Sequence, residues 1–150
     1  MAAYKAKEAL SWIRSPLSSS AEAKERPREK DETDSQSRLR DAYFVPFKRM
    51  KDTADDFAEL QKVRLLCKVH FGEEAVKQID VLFRARTEVR VAAEMLFDAV
   101  GQDPYERAKS DFDKECRHKI WAHEDNKDVL TKLINTALEE LDKLLTPYLK

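Results

Sequence analysis

Residues 75–100 read AVKQIDVLFRARTEVRVAAEMLFDAV, and this stretch decides the fold class. Its core positions alternate at spacings of four and three, which is the period of one face of an α-helix. A face of this length has to be buried against other elements, so the stretch predicts a long core helix that ends at Gly101. The positions on that face, one of them an arginine, are Ala75, Ile79, Leu82, Arg86, Val89, Ala93, Leu96 and Val100.

The composition of the chain excludes most other fold classes. The chain has 150 residues but only 2 glycines and 5 prolines. A β-sandwich or barrel needs a turn about every 8–12 residues, and glycine supplies many of these turns. So few glycines also leave no room for a glycine-rich phosphate loop or a dinucleotide-binding fingerprint. We therefore predict an all-α protein.

The helical period recurs on both sides of the core stretch. It predicts four helices, at about 38–71, 73–100, 103–122 and 126–149. Short connections make consecutive helices antiparallel, so residues 38–150 are predicted to form an antiparallel up-down four-helix bundle.

Prolines refine two of these boundaries. Pro46 lacks a backbone donor and disfavours the helical conformation of Val45, so the first helix is expected to kink or to start afresh there. Asp103 and Pro104 supply an N-cap and a proline at the first helical position, which predicts the start of the third helix.

The first 37 residues divide into two segments. Residues 1–14 are predicted to form a short amphipathic helix, which is marginal unless it docks on the rest of the chain. Residues 15–37 contain no aromatic and no β-branched apolar residue, and their charges are mixed. This composition predicts a flexible polar linker, solvated and open to disorder.

Charge and cysteine content exclude several function classes. The 28 basic and 29 acidic residues give a net charge of −1, whereas a protein that coats nucleic acid is usually strongly basic. Cys67 and Cys116 stand far apart without a CxxC pair, so we expect two buried thiols in a reducing compartment. No disulfide, bound metal or other cofactor is predicted.

No segment predicts a membrane location. The most apolar stretch, residues 91–97, is much shorter than the roughly 20 residues that a bilayer requires, and it contains Glu94. Lys5, Lys7 and Glu8 interrupt any signal-peptide core at the N-terminus. We expect a cytoplasmic protein.

One segment, residues 116–125 (CRHKIWAHED), carries candidate chemistry. A neutral imidazole can take the proton of a ribose 2′-OH near neutral pH, and a guanidinium can hold the scissile phosphate. Arg117, His118 and His123 therefore fit metal-independent RNA cleavage. Residues six apart point about 120° from each other on a straight helix, so the helix has to end before His123 if that side chain is to meet Arg117.

This pattern resembles the RNase motif of the HEPN superfamily, which is an arginine, a polar residue, three to five further residues and a histidine. The resemblance implies a bundle of four to five helices and a dimer with composite sites. It further implies cleavage to a 2′,3′-cyclic phosphate, as in toxin–antitoxin and antiphage systems. Arg117 would bind the phosphate, His123 would be the acid/base, and His118 would be the polar residue after the arginine. The implied partners are RNA, a second copy of the chain, and an antitoxin or other protein.

The same residues have structural interpretations that the sequence leaves open. His123 is also placed to interact with the last carbonyls of a helix. Arg117 is placed to pair with Asp113 one turn earlier on a solvated face. Trp121 is expected to pack against the start of the last helix.

Arg86 lies within the apolar face of the core helix, where an unpaired guanidinium would be very unfavourable. It requires either a carboxylate or an opening to water. One alternative is an ion pair with an acid on a neighbouring helix, such as Asp56, Asp113 or Glu140. The other places it in a polar pocket or at a dimer surface.

The sequence thus predicts a metal-independent endoribonuclease that uses Arg117 and His123. The alternative function is a non-catalytic helical module that binds a protein partner through its N-terminal helix or through an apolar face of the bundle.

Overall fold

A computed structural model of the chain describes residues 1–102, 111–124 and 127–149. No strand occurs in these ranges, which confirms the all-α fold class. None of the helices in them is both long and apolar enough to cross a lipid bilayer. The helices are α1 (Ala2–Ile13), α2 (Asp34–Asp52), α3 (Ala54–Phe71), α4 (Glu73–Ala99), α5 (Asp111–Ile120) and α6 (Val129–Leu145), with short 3₁₀ helices at Ser20–Ala23 and Thr146–Tyr148.

Helix α4 is the centre of the core, as residues 75–100 predict. It contacts each of the five other α-helices in the described ranges. Its apolar face is buried at every predicted aliphatic position up to Leu96, and Arg86 is partly exposed. Gly72 and Gly101, which flank the helix, have φ angles of 79° and 96°, a conformation that residues with a Cβ rarely adopt.

The break between α2 and α3 falls at Thr53, so of the two alternatives at Pro46, a kink or a new start, the new start is wrong. Pro46 lies buried inside α2 and removes one backbone hydrogen bond without ending the helix. At Thr53 the hydroxyl and the backbone N–H both donate to the carbonyl of Arg49, at 2.7 and 3.0 Å, which closes the last turn.

Two other predicted boundaries differ or cannot be compared. The last helix begins at Val129 because Asp128 caps it, with its side chain accepting from the backbone N–H of Thr131. The predicted helix start at Asp103 and Pro104 lies outside the described residues.

Helix α1 docks on the other helices, which its short length requires. Its buried side chains belong to the same core cluster as those of α4. The Tyr4 hydroxyl donates a hydrogen bond to the carboxylate of Asp142 on α6. The buried residues of α1 are Ala3, Ala6, Ala9, Leu10 and Ile13.

Residues 15–37 do not lie free as the solvated linker that their composition predicts. The carboxylate of Glu22 accepts hydrogen bonds of 2.6 and 3.0 Å from Arg49 of α2. Arg49 also donates to the carbonyls of Trp12, Ser15 and Leu17. Glu22 therefore pairs with a buried guanidinium. The composition of the segment predicts instead that its charged side chains are solvated by water.

A second buried arginine belongs to the segment itself. Arg26 donates to Glu32 at 2.6 Å and to Asp41 of α2 at 2.7 Å. The hydrogen bonds from Arg26 hold the pKa of the Glu32 carboxyl well below its usual range, against the opposing effect of burial. Thr33 caps α2 through reciprocal hydrogen bonds with Gln36. The helix therefore begins at Asp34, four residues before the predicted start.

We expect the substitution Arg49→Met to destabilise the fold by about 3 kcal/mol, because it leaves Glu22 and three carbonyls without their donor. Urea unfolding followed by circular dichroism measures this difference. The matched control is Lys48→Met, which removes a surface ion pair with Asp52 and is expected to change the stability by less than about 1 kcal/mol. Equal effects of the two substitutions would contradict a special role for Arg49.

Candidate functional site

The candidate motif lies where α5 ends. Arg117 and His118 are in the last turn of α5, the helix ends at Ile120, and His123 follows in the connection to α6. The prediction that the helix ends before His123 is confirmed. The geometry of the motif therefore depends on what fixes this connection.

Arg14 fixes the end of α5. Its Nε donates to the carbonyl of Lys119 at 2.7 Å, and its Nη2 donates to the carbonyls of His118 at 2.9 Å and Trp121 at 3.4 Å. The carbonyl of Arg14 accepts from the backbone N–H of Ala122 at 2.8 Å. These carbonyls end a helix and have no partner within it, so the guanidinium satisfies them and complements the helix dipole.

Asp128 fixes the start of α6 and is bound by the same guanidinium of Arg14. Its Oδ1 accepts from Nη2 of Arg14 at 2.9 Å and from the backbone N–H of Thr131 at 3.1 Å. Its Oδ2 accepts from the backbone N–H of His123 at 3.3 Å. Burial raises the pKa of the Asp128 carboxyl, but the hydrogen bonds from Arg14 and Thr131 outweigh it and the net pKa is lowered.

The side chains of His118 and His123 meet at this junction. Their rings are stacked, with centroids 4.6 Å apart and planes inclined by 28°. Nε2 of His123 lies 3.1 Å from the carbonyl of Lys127, and Nδ1 faces Oδ2 of Asp128 at 3.8 Å. The two rings line a solvent-open cavity of about 290 Å³ whose charged residues are Glu88, Glu115, Lys119 and Lys127.

Arg117 does not join the two histidines. Its side chain lines a different cavity, of about 390 Å³, together with Tyr43 and Asp113. Burial raises the pKa of the Tyr43 hydroxyl, and Arg117 opposes this shift. Because consecutive residues of a helix point about 100° apart, Arg117 and His118 leave α5 on different sides. Within one chain, the described residues bring His118 to His123 but leave Arg117 in a separate cavity.

The structural interpretations of the motif are partly met. Arg14, rather than His123, takes the last carbonyls of α5. Trp121 is half-buried and packs against the core cluster, and its ring lies 6.0 Å from that of Tyr43 on α2.

Arg86 has no carboxylate partner among the described residues, so the expected ion pair with Asp56, Asp113 or Glu140 is not found. Its guanidinium carbon lies 4.9 Å from the ring centroid of Phe57, a cation–π contact. Burial lowers the pKa of Arg86, and the neighbouring charge of Arg90 adds to this effect. Arg86 therefore contributes packing and a charge at the edge of the core.

The sequence analysis missed Arg14 and Asp128, both of which are buried. Asp128 carries a local signal, because an aspartate three residues before Thr131 at a helix start is a common cap. Arg14 carries none, since its partners lie more than 100 positions away in the chain. Only the three-dimensional packing of α1 against the α5–α6 junction reveals it.

No metal centre occurs among the described residues, since they contain no group of three or more potential ligands. Glu115 and His118 lie one turn apart on α5, but two ligands do not define a site. Cys67 and Cys116 are both buried, as expected of small apolar side chains. Comparison of the chain with protein-family models, with curated proteins and with solved structures finds no match.

The ion pair of Arg14 with Asp128 makes the stability of the protein depend on pH in acid. Because the folded-state pKa of Asp128 lies below its unfolded value of about 3.9, its contribution is complete above that pH and is lost as the pH falls through the folded-state pKa. Asp128→Asn removes the charge at every pH. We expect the urea midpoints of the two proteins to differ most near neutral pH and to converge as the pH falls through the folded-state pKa of Asp128.

The control for this experiment is Thr53→Val, which removes a buried hydroxyl that donates to the carbonyl of Arg49 at 2.7 Å and no titrating group. Its difference from the wild type should stay constant over the same pH range. A difference between Asp128→Asn and wild type that did not shrink in acid would show that the charge of Asp128 does not stabilise the fold.

Proposed function

We propose that this chain is a HEPN-like domain that acts as a metal-independent endoribonuclease. We also propose a cytoplasmic location and a finer fold in which residues 38–150 form an antiparallel up-down four-helix bundle, with α2 and α3 together in the place of its first predicted helix. The observation that carries it is the stacked pair of His118 and His123, which lines a solvent-open cavity. Both histidines belong to the Arg-polar-x₄-His sequence that begins at Arg117.

The proposed reaction needs only groups that the motif supplies. The imidazole of His123 takes the proton of a ribose 2′-OH, and the 2′-oxygen bonds to the phosphorus as the bond to the 5′-oxygen breaks. The imidazolium of His123 returns the proton to the leaving 5′-oxygen, so the products are a 2′,3′-cyclic phosphate and a 5′-hydroxyl. A guanidinium stabilises the charge of the transition state, and Lys119 and Lys127 add positive charge at the rim of the cavity.

The position of Arg117 favours a site built from two copies of the chain. In one copy the guanidinium lies in a different cavity from His123. A second copy related by a two-fold axis offers its own Arg117 to the first copy's histidines, and the symmetry repeats the arrangement. RNA and a second copy are therefore the proposed partners, with an antitoxin or similar inhibitor protein as a further one.

We expect His123→Ala and Arg117→Ala each to reduce RNA cleavage at least about 100-fold, because each removes a group that acts in the transition state. Helicity should be unchanged and EDTA should have no effect. Cleavage of a defined RNA, resolved on a gel and assayed for cyclic phosphate, measures this. The matched control is His70→Ala, an exposed histidine on α3, which should retain full activity. Cleavage that survives both motif substitutions would remove the proposal.

Mixing the two inactive variants tests the two-copy site. If Arg117 of one copy serves His123 of the other, a heterodimer holds one intact site, so an equal mixture should recover up to about a quarter of the wild-type rate. No recovery, in a mixture shown to exchange subunits, would indicate that both groups come from one copy.

A second candidate function is a non-catalytic module that binds a protein, and one observation favours it. Leu65, Leu66 and Val69 form an outward face of α3 and are 57%, 60% and 78% exposed. Exposed apolar faces of this kind often mark interaction sites. The N-terminal helix is unsuited to this role, because Ala6 and Ile13 on its apolar face are fully buried.

Under this alternative, Val69→Asp is expected to weaken a stoichiometric complex with the partner by at least about tenfold, because it places a charge in an apolar contact. Co-purification followed by light scattering gives the stoichiometry. The control is Gln61→Asp, which adds the same charge at another exposed position of α3. A complex that tolerates both substitutions would not use this face.

A further inference from the structure

Asp128 stands between Arg14 and His123, and its two oxygens have different tasks. Oδ1 holds the fold together, because it accepts from the guanidinium of Arg14 and from the backbone N–H that starts α6. Oδ2 faces His123 only, at 3.3 Å from its backbone N–H and 3.8 Å from Nδ1 of its ring. One carboxylate thus joins a structural contact to a contact with the proposed acid/base.

The imidazole of His123 is held from both ends. Nε2 lies 3.1 Å from the carbonyl of Lys127, Nδ1 points at Asp128, and the ring of His118 covers one face. Among the described residues, Nδ1 has no hydrogen-bond partner and is buried. For His123 to act as the acid/base, Nε2 leaves the carbonyl of Lys127 for the substrate, and Nδ1–H then donates to the carboxylate of Asp128.

Arg14 sets the frame in which this contact forms. The guanidinium donates to the carbonyl of His118 at the end of α5 and to Oδ1 of Asp128 at the start of α6. One rigid group therefore sets the distance between these two helix ends. His118 and His123 therefore meet because the ends of α5 and α6 are fixed to the same side chain. The planar guanidinium has several N–H donors and can bind both helix ends at once, whereas the ammonium group of a lysine is a single compact charge.

We propose that Asp128 and Arg14 are positioning residues for His123, which they hold against His118 with Nδ1 directed at the carboxylate. This inference rests on the proposed ribonuclease function for its catalytic meaning, but its geometric content can be tested without activity. It also assigns a role at the site to the N-terminal segment, which the motif alone does not suggest.

The test is Asp128→Asn in the full-length protein. An asparagine retains one oxygen for Arg14 and Thr131 but presents an amide to His123, so the cap survives and the interaction with the ring changes. We expect the nuclear Overhauser effects between the rings of His118 and His123 to disappear well below the melting temperature. In the cleavage assay we expect kcat to fall at least tenfold, with KM changed less than twofold.

The matched control is Asp142→Asn, which makes the same change at the aspartate of α6 that accepts from Tyr4 of the N-terminal segment. This variant should retain the nuclear Overhauser effects between the two rings and the wild-type kcat. If Asp128→Asn does not fold, Arg14→Lys serves instead, and the same effects should weaken in a folded protein.

The outcomes separate the two proposals. Stacking of the two rings that persists unchanged in a folded Asp128→Asn, or in a folded Arg14→Lys where the first variant fails, would overturn the positioning role whatever the enzyme does. Separation of the rings in the variant, combined with a wild-type protein that cleaves no RNA, would support the positioning role and refute the proposed function.

Discussion

A guanidinium sealed from water is stable only where oxygen acceptors surround it, and Arg14 meets that condition at one place in the molecule. Its donors reach two carbonyls of the last turn of α5, the carbonyl of Trp121, and the carboxylate of Asp128. The free ends of two helices therefore share one partner. The direction of α5 relative to α6, and with it the place of the motif, follows from this side chain.

Two further buried guanidinium groups are surrounded by oxygen acceptors in the same way. Arg49 and Arg26 are also buried and are satisfied by carboxylates and carbonyls of residues 12–41. Removing one partner of such a pair leaves an uncompensated charge, which is far less favourable than replacing the pair as a whole. Residues 15–37 are thus held to the domain largely through Arg26 and Arg49, whereas α1 is held by its apolar face as well as by Arg14.

The fold class follows from residues 75–100 because core positions that alternate at spacings of four and three over that length are typical of an α-helix. The end of α5 before His123 was predictable for the same local reason. The order of residues 15–37, the break at Thr53 and the cation–π environment of Arg86 were not, because each depends on partners that are remote in sequence. At the site, the sequence identifies the right residue types, but the separation of Arg117 from His123 emerges only when Tyr43 of α2 is in place.

The bonds of Arg14 with His118, Lys119 and Asp128 span 104 to 114 positions of the chain. Ribosomes release a protein from its N-terminus onward. Arg14 therefore emerges long before its acceptors and waits in water until α5 and the start of α6 have left the exit tunnel. The junction closes only after the start of α6 has emerged, so the bonds of Arg14 cannot form in a nascent chain that lacks this helix.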